Sequence, residues 1–452
     1  MFGNIDESAL TRAPAAIENA YENVAGGISR FPGLIKFATF PGQRTYLSTW
    51  NGSLIAGTDA GRLYRIDRSG KVTDVTGVPI SGGRRMIFSA TEDQLVIAAG
   101  GAIISLSGER TEVLSPNAPP STHVAFLRGY LLAIEANTER FQYCDPGKFT
   151  VWNPLSVFSA NAKPGAVNSM VVTPYDELML GKTDGIEQFE VLPNGTQPFS
   201  ERWSTGEGVV LPYTLVADKT GTYAVNSRYE FVRFYGQISQ DQSEAINLNG
   251  IDDWTDAWAQ ELTVKGQNFF ILQAPNATNA YNTKGITYAF DYRNKKWCYL
   301  FGWDAKASLP NRFPAWSFQR LWGKIFAGVP GGVAVFDDAT YQLQGGMFPV
   351  LLRTGHIDEF GPVRIDDVRI RVRRGDGTYQ GAPPRIGLRV NPDNLGFDQW
   401  TYEPMGIPGQ REMTIHFGGQ GAADTFQFEI ACTDNVPIEL VSMEIYAQRI
   451  RF

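Results

Sequence analysis

The side chains best suited to metal binding or proton transfer are scarce in this sequence. Its three histidines, His123, His356 and His416, lie far apart and form neither an HxH nor an HExxH motif, so their spacing predicts no local zinc site. The sequence also lacks a GxSxG elbow and a GxxxxGK[ST] phosphate loop. Aspartate and glutamate are too plentiful for any pair to stand out as the acid and nucleophile of a glycosidase. We therefore predict no catalytic residues, no cofactor and no metal site.

One local charge feature points to a binding surface. Arg369, Arg371, Arg373 and Arg374 lie close together near the C-terminal end of the sequence. They could form a positive stripe that faces an acidic partner or the phosphates of passing DNA. The alternative is a solvated strand face whose charge is balanced by acidic neighbours. These neighbours are Asp358, Glu359, Asp366, Asp367 and Asp376.

A group of tryptophans suggests a second kind of site. Indole rings can serve as stacking platforms for sugars, so the alternative function is a carbohydrate-active hydrolase that binds its substrate along a groove. Packing between the sheets of a β-protein explains the same residues and is the simpler interpretation. The residues are Trp254, Trp258, Trp297, Trp303, Trp316 and Trp322.

Composition restricts the elements that could position these residues. The 452 residues include 47 Gly and 26 Pro, which interrupt the chain too often for a helical bundle and favour many short strands joined by turns. The formal net charge of −7 disfavours a general DNA-binding protein. Cys144, Cys298 and Cys432 are too far apart for a CxxC clamp, and we predict buried thiols.

A four-strand unit recurs along most of the chain. In the first copy, strands Thr45–Trp50 and Ser53–Thr58 flank the hairpin turn Asn51-Gly52. Weaker copies follow at intervals of roughly 40–50 residues, the period of propeller blades. The repeat predicts an all-β fold with a β-propeller of six or seven blades over residues 44–349. An ordinary antiparallel meander or sandwich is the alternative.

The segments outside the repeat predict further units. Residues 1–43 read as an N-terminal arm, and acidic residues near 239–260 suggest a short helical insertion. From residue 350 to 452 the strands alternate strictly between apolar and polar residues, as in Val368 to Arg373. We predict a C-terminal β-sandwich domain there.

Several short motifs, in one order along the chain, resemble the tail hub proteins of short-tailed bacteriophages, which are also called packaged-DNA stabilisation or tail nozzle proteins. They lie between residue 31 and about residue 305, whereas the C-terminal domain agrees in character more than in motif. The motifs are Phe31–Leu34, Phe149–Leu155, Glu177–Gly181, Gly185–Phe189, Gln197–Phe199, Ile238-Ser239 to Ile246, Ile251–Asp253, Tyr288–Asp291 and Lys296–Cys298.

The resemblance implies a structural virion protein without enzymatic activity. It implies a homo-hexamer in the tail that extends the portal-adaptor channel, retains the packaged DNA and anchors tail spikes or fibres. Further partners would be a tail needle or plug and, transiently, double-stranded DNA. The protein would be made in the host cytoplasm, and the N-terminal residues, which include Asp6 and Glu7, do not resemble a secretory signal.

Overall fold

The computed structural model describes residues 16–192, 197–243, 246–358, 361–374, 383–406 and 410–450. Within these ranges the regular structure consists of β-strands and two short 3-10 turns, Pro212–Thr214 and Leu248–Gly250, and there is no α-helix. No helix in these ranges is long and apolar enough to cross a membrane. The first strands are β1 (Ala16–Glu18), β2 (Ala20–Glu22), β3 (Ile28–Arg30) and β4 (Gly33–Thr39).

Six consecutive blades of four antiparallel strands follow; the first five are separate four-stranded sheets, and the sixth is part of a larger sheet. Blade one contains β5 (Thr45–Trp50), β6 (Ser53–Thr58), β7 (Leu63–Ile66) and β8 (Val72–Asp74). Blade two contains β9 (Ile87–Ala90), β10 (Leu95–Ala98), β11 (Ile104–Leu106) and β12 (Thr111–Val113). Blade three contains β13 (Val124–Leu127), β14 (Tyr130–Ile134), β15 (Arg140–Asp145) and β16 (Lys148–Ser159).

The next three blades have the same layout. Blade four contains β17 (Ser169–Val172), β18 (Leu178–Lys182), β19 (Gly185–Val191) and β20 (Phe199–Thr205). Blade five contains β21 (Val216–Asp218), β22 (Gly221–Val225), β23 (Phe231–Tyr235) and β24 (Ile238–Asp241). Blade six contains β25 (Trp258–Val264), β26 (Gln267–Thr278), β27 (Lys284–Asp291) and β28 (Lys296–Tyr299).

A seventh blade closes the ring with strands from both ends of the propeller. After the hairpin β29 (Phe301–Asp304) and β30 (Leu309–Arg312) come β31 (Ser317–Leu321), β32 (Lys324–Val329) and β33 (Gly332–Asp337). The fourth strand of this sheet is β4, which pairs antiparallel with β33. The first strands of the seven blades contact one another in a closed cycle. The described residues therefore form a seven-bladed β-propeller.

The C-terminal strands form a two-sheet sandwich. One sheet continues blade six in the order β25-β26-β27-β28-β1-β34-β39-β36-β37, and the other has the order β2-β3-β40-β35-β38. Buried residues of both sheets, among them Val368 and Phe428, share one core with Trp258 of blade six. The strands are β34 (Val350–Arg353), β35 (Val363–Arg373), β36 (Arg385–Pro392), β37 (Thr401–Pro404), β38 (Glu412–Ala423), β39 (Phe426–Cys432) and β40 (Glu439–Arg449).

Two of the sequence-based expectations are corrected. Residues 16–39 of the expected arm 1–43 are strands of three different sheets, because they find pairing partners far along the chain: β1 pairs with β28 and β34, β3 with β40, and β4 with β33. Residues 1–15 lie outside the described residues. The expected helical insertion near 239–260 has only the 3-10 turn Leu248–Gly250 among its described residues. Asp241 and Asp253 cap turns instead, by accepting from the backbone N–H groups of Ser243 at 2.7 Å and Thr255 at 2.8 Å.

Candidate interaction surfaces

Three of the four predicted arginines lie on one exposed side of β35. Arg369, Arg371 and Arg373 alternate with Val368, Ile370 and Val372, which are buried in the core of the sandwich. Their neighbours across the sheet are His416 and Glu444 for Arg369, and Glu412 and Glu439 for Arg373. We call these three arginines and their cross-strand partners the arginine face.

Each guanidinium of the arginine face has a carboxylate partner. Arg369 contacts Asp367 at 2.8 Å, Arg371 contacts Glu412, and Arg373 contacts Glu439 at 3.0 Å. Hydrogen bonds from Arg369 and then from His416 hold the pKa of Asp367 below its ordinary value. Because three cations face three carboxylates, this surface offers few free positive charges to a phosphate backbone, whose binding depends on them. The geometry favours a mixed-charge protein contact over a DNA contact.

Arg374 does not belong to this surface, which corrects the expectation for this residue. Only 3% of Arg374 is exposed. Its guanidinium donates to the carbonyl oxygens of Met405 at 3.2 Å and Gly406 at 3.4 Å. From Val368 onward the alternation along β35 sends odd-numbered residues outward and even-numbered residues inward, and Arg374, directly after the strand, falls on the buried side. Arg374 therefore holds a loop of the sandwich in place.

A second surface, on the sheet that continues blade six, was not predicted. Arg389 lies over the rings of Phe397 and Trp400, at 4.7 and 4.6 Å from their centroids, and Arg385 lies over Tyr402 at 5.4 Å. We call these five residues the aromatic face. Tyr402 is 47% exposed, and β37, which carries it, is the edge strand of its sheet. Tryptophan, tyrosine and arginine are the residue types that dominate binding energy in protein interfaces. The pair Trp400 and Tyr402, two residues apart, was the available sequence signal.

The other singled-out side chains do not converge on one site. His123 is buried and stacks on Tyr213, and burial lowers its pKa to about 4, whereas His416 lies on the exposed side of β38. Trp258 and Trp297 are fully buried in different cores, and Trp322 packs on Phe326 of blade seven. The three cysteines are buried, as predicted. In the described part of the chain, no three His, Cys, Asp or Glu residues are arranged to hold a metal ion.

Comparison with known proteins identifies the family. The model of the phage-stabilisation family, described as bacteriophage P22 Gp10, β-propeller, matches residues 14–328. The chain belongs to this family. This confirms the resemblance to packaged-DNA stabilisation proteins and the propeller fold, and it makes the protein a bacteriophage structural protein. The match ends within β32, so it covers β1–β3, blades one to six and part of blade seven, whereas the sandwich strands β34–β40 lie beyond it.

Solved structures with similar folds are distant from this member of the phage-stabilisation family. The extracellular domain of a one-component system from B. thetaiotaomicron is 13% identical, with a TM-score of 0.40, over 77% of this chain and 41% of its own, so the chain spans less than half of that structure. The WD40 propeller of Doa1 is 12% identical over 69% and 97% of the two chains, with a TM-score of 0.41. BamB from Moraxella catarrhalis is 11% identical over 71% and 92%, with a TM-score of 0.39. No curated protein matches the sequence.

Proposed function

We propose that this protein is the hexameric tail hub of a short-tailed bacteriophage. In this proposal six copies form a ring that extends the portal-adaptor channel, retains the packaged DNA and anchors tail spikes or fibres, and none of these steps makes or breaks a covalent bond. A tail needle or plug would close the channel, and double-stranded DNA would pass through it. The observation that carries the proposal is the family match over residues 14–328.

The charge of the chain agrees with a conduit for DNA. A formal net charge of −7 means that a ring of these chains neutralises few phosphates, and DNA therefore passes without being held by released counterions. The closed propeller and the sandwich pair most strands on both sides, which limits unintended edge-to-edge association. Association with other chains is thereby restricted to surfaces other than open strand edges.

The sandwich supplies two such surfaces in this proposal. The arginine face carries matched charges that can be exchanged with the charges of a neighbouring copy, and the aromatic face carries ring and guanidinium pairs suited to a desolvated contact. We propose that the arginine face contacts the next copy in the ring or the adaptor. Contacts of this kind close a cyclic ring when the same two surfaces meet around it.

Native mass spectrometry and electron microscopy of the full-length protein, alone and with the adaptor, test this function. We expect a ring of six copies in at least one of the two samples. Arg371→Glu should weaken ring or adaptor binding by about tenfold, because it reverses one charge of a matched set. Arg62→Glu on blade one, where the exposed Arg62 pairs with Asp74 at 2.7 Å, is the matched control.

Two results would contradict the proposal. A protein that stays monomeric at every salt concentration, with and without the adaptor, is not a ring-forming hub. Equal effects of Arg371→Glu and Arg62→Glu on an assembled ring would remove the arginine face from the interface.

A further inference from the structure

An arginine-rich cluster lies at one end of the propeller axis. Arg44 directly precedes β5, Arg85 precedes β9, Asp256 precedes β25, and Arg312 ends β30, shortly before β31. These positions are all at the entries to the innermost strands of their blades, so they gather around the axis. We call Arg44, Arg85, Asp256 and Arg312 the mouth cluster.

The contacts of the mouth cluster cross the ring. Arg85 of blade two lies over the rings of Tyr46 in blade one and Trp258 in blade six, at 5.2 and 4.4 Å. It also donates to the carbonyl oxygen of Trp316, before blade seven, at 2.8 Å. Arg44 and Arg312 each lie over the Trp316 ring, at 4.9 and 4.0 Å from its centroid. Four of the seven blades therefore bring their side chains to one point.

The charges of the mouth cluster are not balanced. Arg44 pairs with Asp256 at 2.7 Å, but among the described residues neither Arg85 nor Arg312 contacts a carboxylate. Arginines elsewhere on the blades do have acidic partners, as in Arg62–Asp74, Arg128–Asp176, Arg202–Glu177 and Arg228–Glu207. Three guanidiniums against one carboxylate leave two positive charges at the mouth without counter-charge from the protein.

Two further features bear on these cations: their surroundings disfavour the positive charge, and solvent still reaches the cluster. Burial lowers the pKa of Arg85 to about 10, and burial together with repulsion from Arg44 lowers the pKa of Arg312 to about 10. Arg85 and Arg312 are both partly exposed, and about a third of the Arg44 and Asp256 side chains is exposed. A dissolved anion can therefore reach the cluster, and it would relieve the repulsion within it.

We propose that the mouth cluster is a binding site for a doubly charged oxyanion of the phosphate class. A phosphate group carries about −1.5 to −2 charges at pH 7, which matches the two uncompensated guanidiniums. The planar donor forks of arginine fit phosphate oxygens in pairs. The phosphate can be free inorganic phosphate or the phosphate of a nucleotide, since both present the same oxygens.

Isothermal titration calorimetry on the full-length protein tests this site, with inorganic phosphate as the probe and chloride at equal ionic strength as the reference. We expect saturable binding of one phosphate per chain and a rise in the unfolding temperature that chloride does not produce. The double variant Arg85→Gln, Arg312→Gln should lower the affinity at least about tenfold, whereas Arg202→Gln, which removes an exposed and paired arginine of blade four, should leave it unchanged. A titration with a nucleoside monophosphate separates the two sources: equal affinity points to the free ion, and tighter binding to a nucleotide.

If the double variant does not fold, a second variant with an expected gain of phosphate affinity still tests the site. Asp256→Asn removes the one competing carboxylate, and asparagine tolerates the positive φ of 62° at this position. We expect this variant to bind phosphate several-fold more tightly than the parent protein. Unchanged affinity in Asp256→Asn, parent-like affinity in a folded double variant, or a thermal shift that chloride reproduces would each overturn the proposal.

Discussion

At the scale of single residues, the ion pair of Lys182 and Glu187 is the clearest case of charge inside a blade. Neither side chain has exposed surface, and their charged atoms are 2.8 Å apart. The ammonium group of Lys182 also donates to the carbonyl oxygens of Ala160 and Lys163. These bonds tie the strands of blade four to the segment that enters it.

Replacing Lys182 by methionine should lower the free energy of unfolding by about 3–5 kcal/mol, because it leaves the buried Glu187 carboxylate without a counter-ion, with the backbone N–H of Lys163 at 2.9 Å still donating to it. Urea denaturation followed by circular dichroism measures the loss. Arg128→Met is the matched control, since the exposed Arg128–Asp176 pair at 3.4 Å should contribute about 1 kcal/mol or less. Equal losses in the two variants would show that burial adds nothing to the Lys182–Glu187 pair.

Glu18 on β1 should make stability depend on pH. Burial raises its pKa to about 7, although Tyr281 donates to both carboxylate oxygens at 2.8 Å and Arg353 is near. The folded state therefore keeps a proton that the unfolded chain releases near pH 4.5. The contribution of Glu18 to the free energy of unfolding is complete below that pH and is lost as the pH rises through about 7. Glu18→Gln should gain up to about 3 kcal/mol over the parent between pH 4.5 and pH 8, measured by urea denaturation at both values. The control Glu190→Gln, which changes an exposed residue of β19, should retain the parent's dependence of stability on pH. If the pH profile of Glu18→Gln also runs parallel to that of the parent, the assignment to Glu18 is refuted.

At the scale of elements, features set by neighbouring residues could be predicted from the sequence. The hairpin at Asn51-Gly52 is one example, because both residues adopt positive φ, 46° and 67°, and the flanking strands pair from Trp50 and Ser53 outward. The pairing of β4 with β33 could not be predicted, since nothing local in Gly33–Thr39 specifies a partner about 300 residues away.

The same difference between local and distant order explains why the arginine face was predicted and the mouth cluster was not. Alternation along β35 was sufficient to place Arg369, Arg371 and Arg373 on one side of a sheet. The mouth cluster was missed because Arg44, Arg85 and Arg312 are adjacent only after the ring has closed.

Closure by β4 depends on a close backbone approach at Gly33. A Cβ atom there would lie 2.3 Å from the carbonyl oxygen and 2.6 Å from the nitrogen of Gln342, and backbone atoms cannot swing aside. Gly33→Ala should therefore lower the free energy of unfolding by about 1–3 kcal/mol and increase hydrogen exchange in β33. Gly418→Ala, where a Cβ meets nothing within 4 Å, is the control. Unchanged exchange in β33 of the Gly33→Ala variant would mean that β4 does not hold blade seven closed.

At the scale of the whole molecule, the propeller and the sandwich are one mechanical unit. Strand β1 lies between β28 of blade six and β34 of the sandwich, so hydrogen bonds run without interruption from the propeller into the C-terminal sheet. The core beneath this junction is also shared. A force applied to the sandwich by a bound partner is therefore transmitted to the ring of blades, which suits a structural virion protein.

This continuity predicts a single unfolding transition for the parent protein in differential scanning calorimetry. Ile17 on β1 is buried beside Leu352 of β34. Ile17→Ala should therefore lower the free energy of unfolding of the junction by about 2–5 kcal/mol. The single transition should then split in two, because the sandwich separates before the propeller unfolds. Leu54→Ala removes a comparable side chain from a core that blades one and seven share, so it should lower the unfolding temperature but keep one transition. If Ile17→Ala also retains one transition, whose calorimetric and van't Hoff enthalpies agree as well as those of Leu54→Ala, then β1 is not the link, and the shared core beneath it couples the two parts.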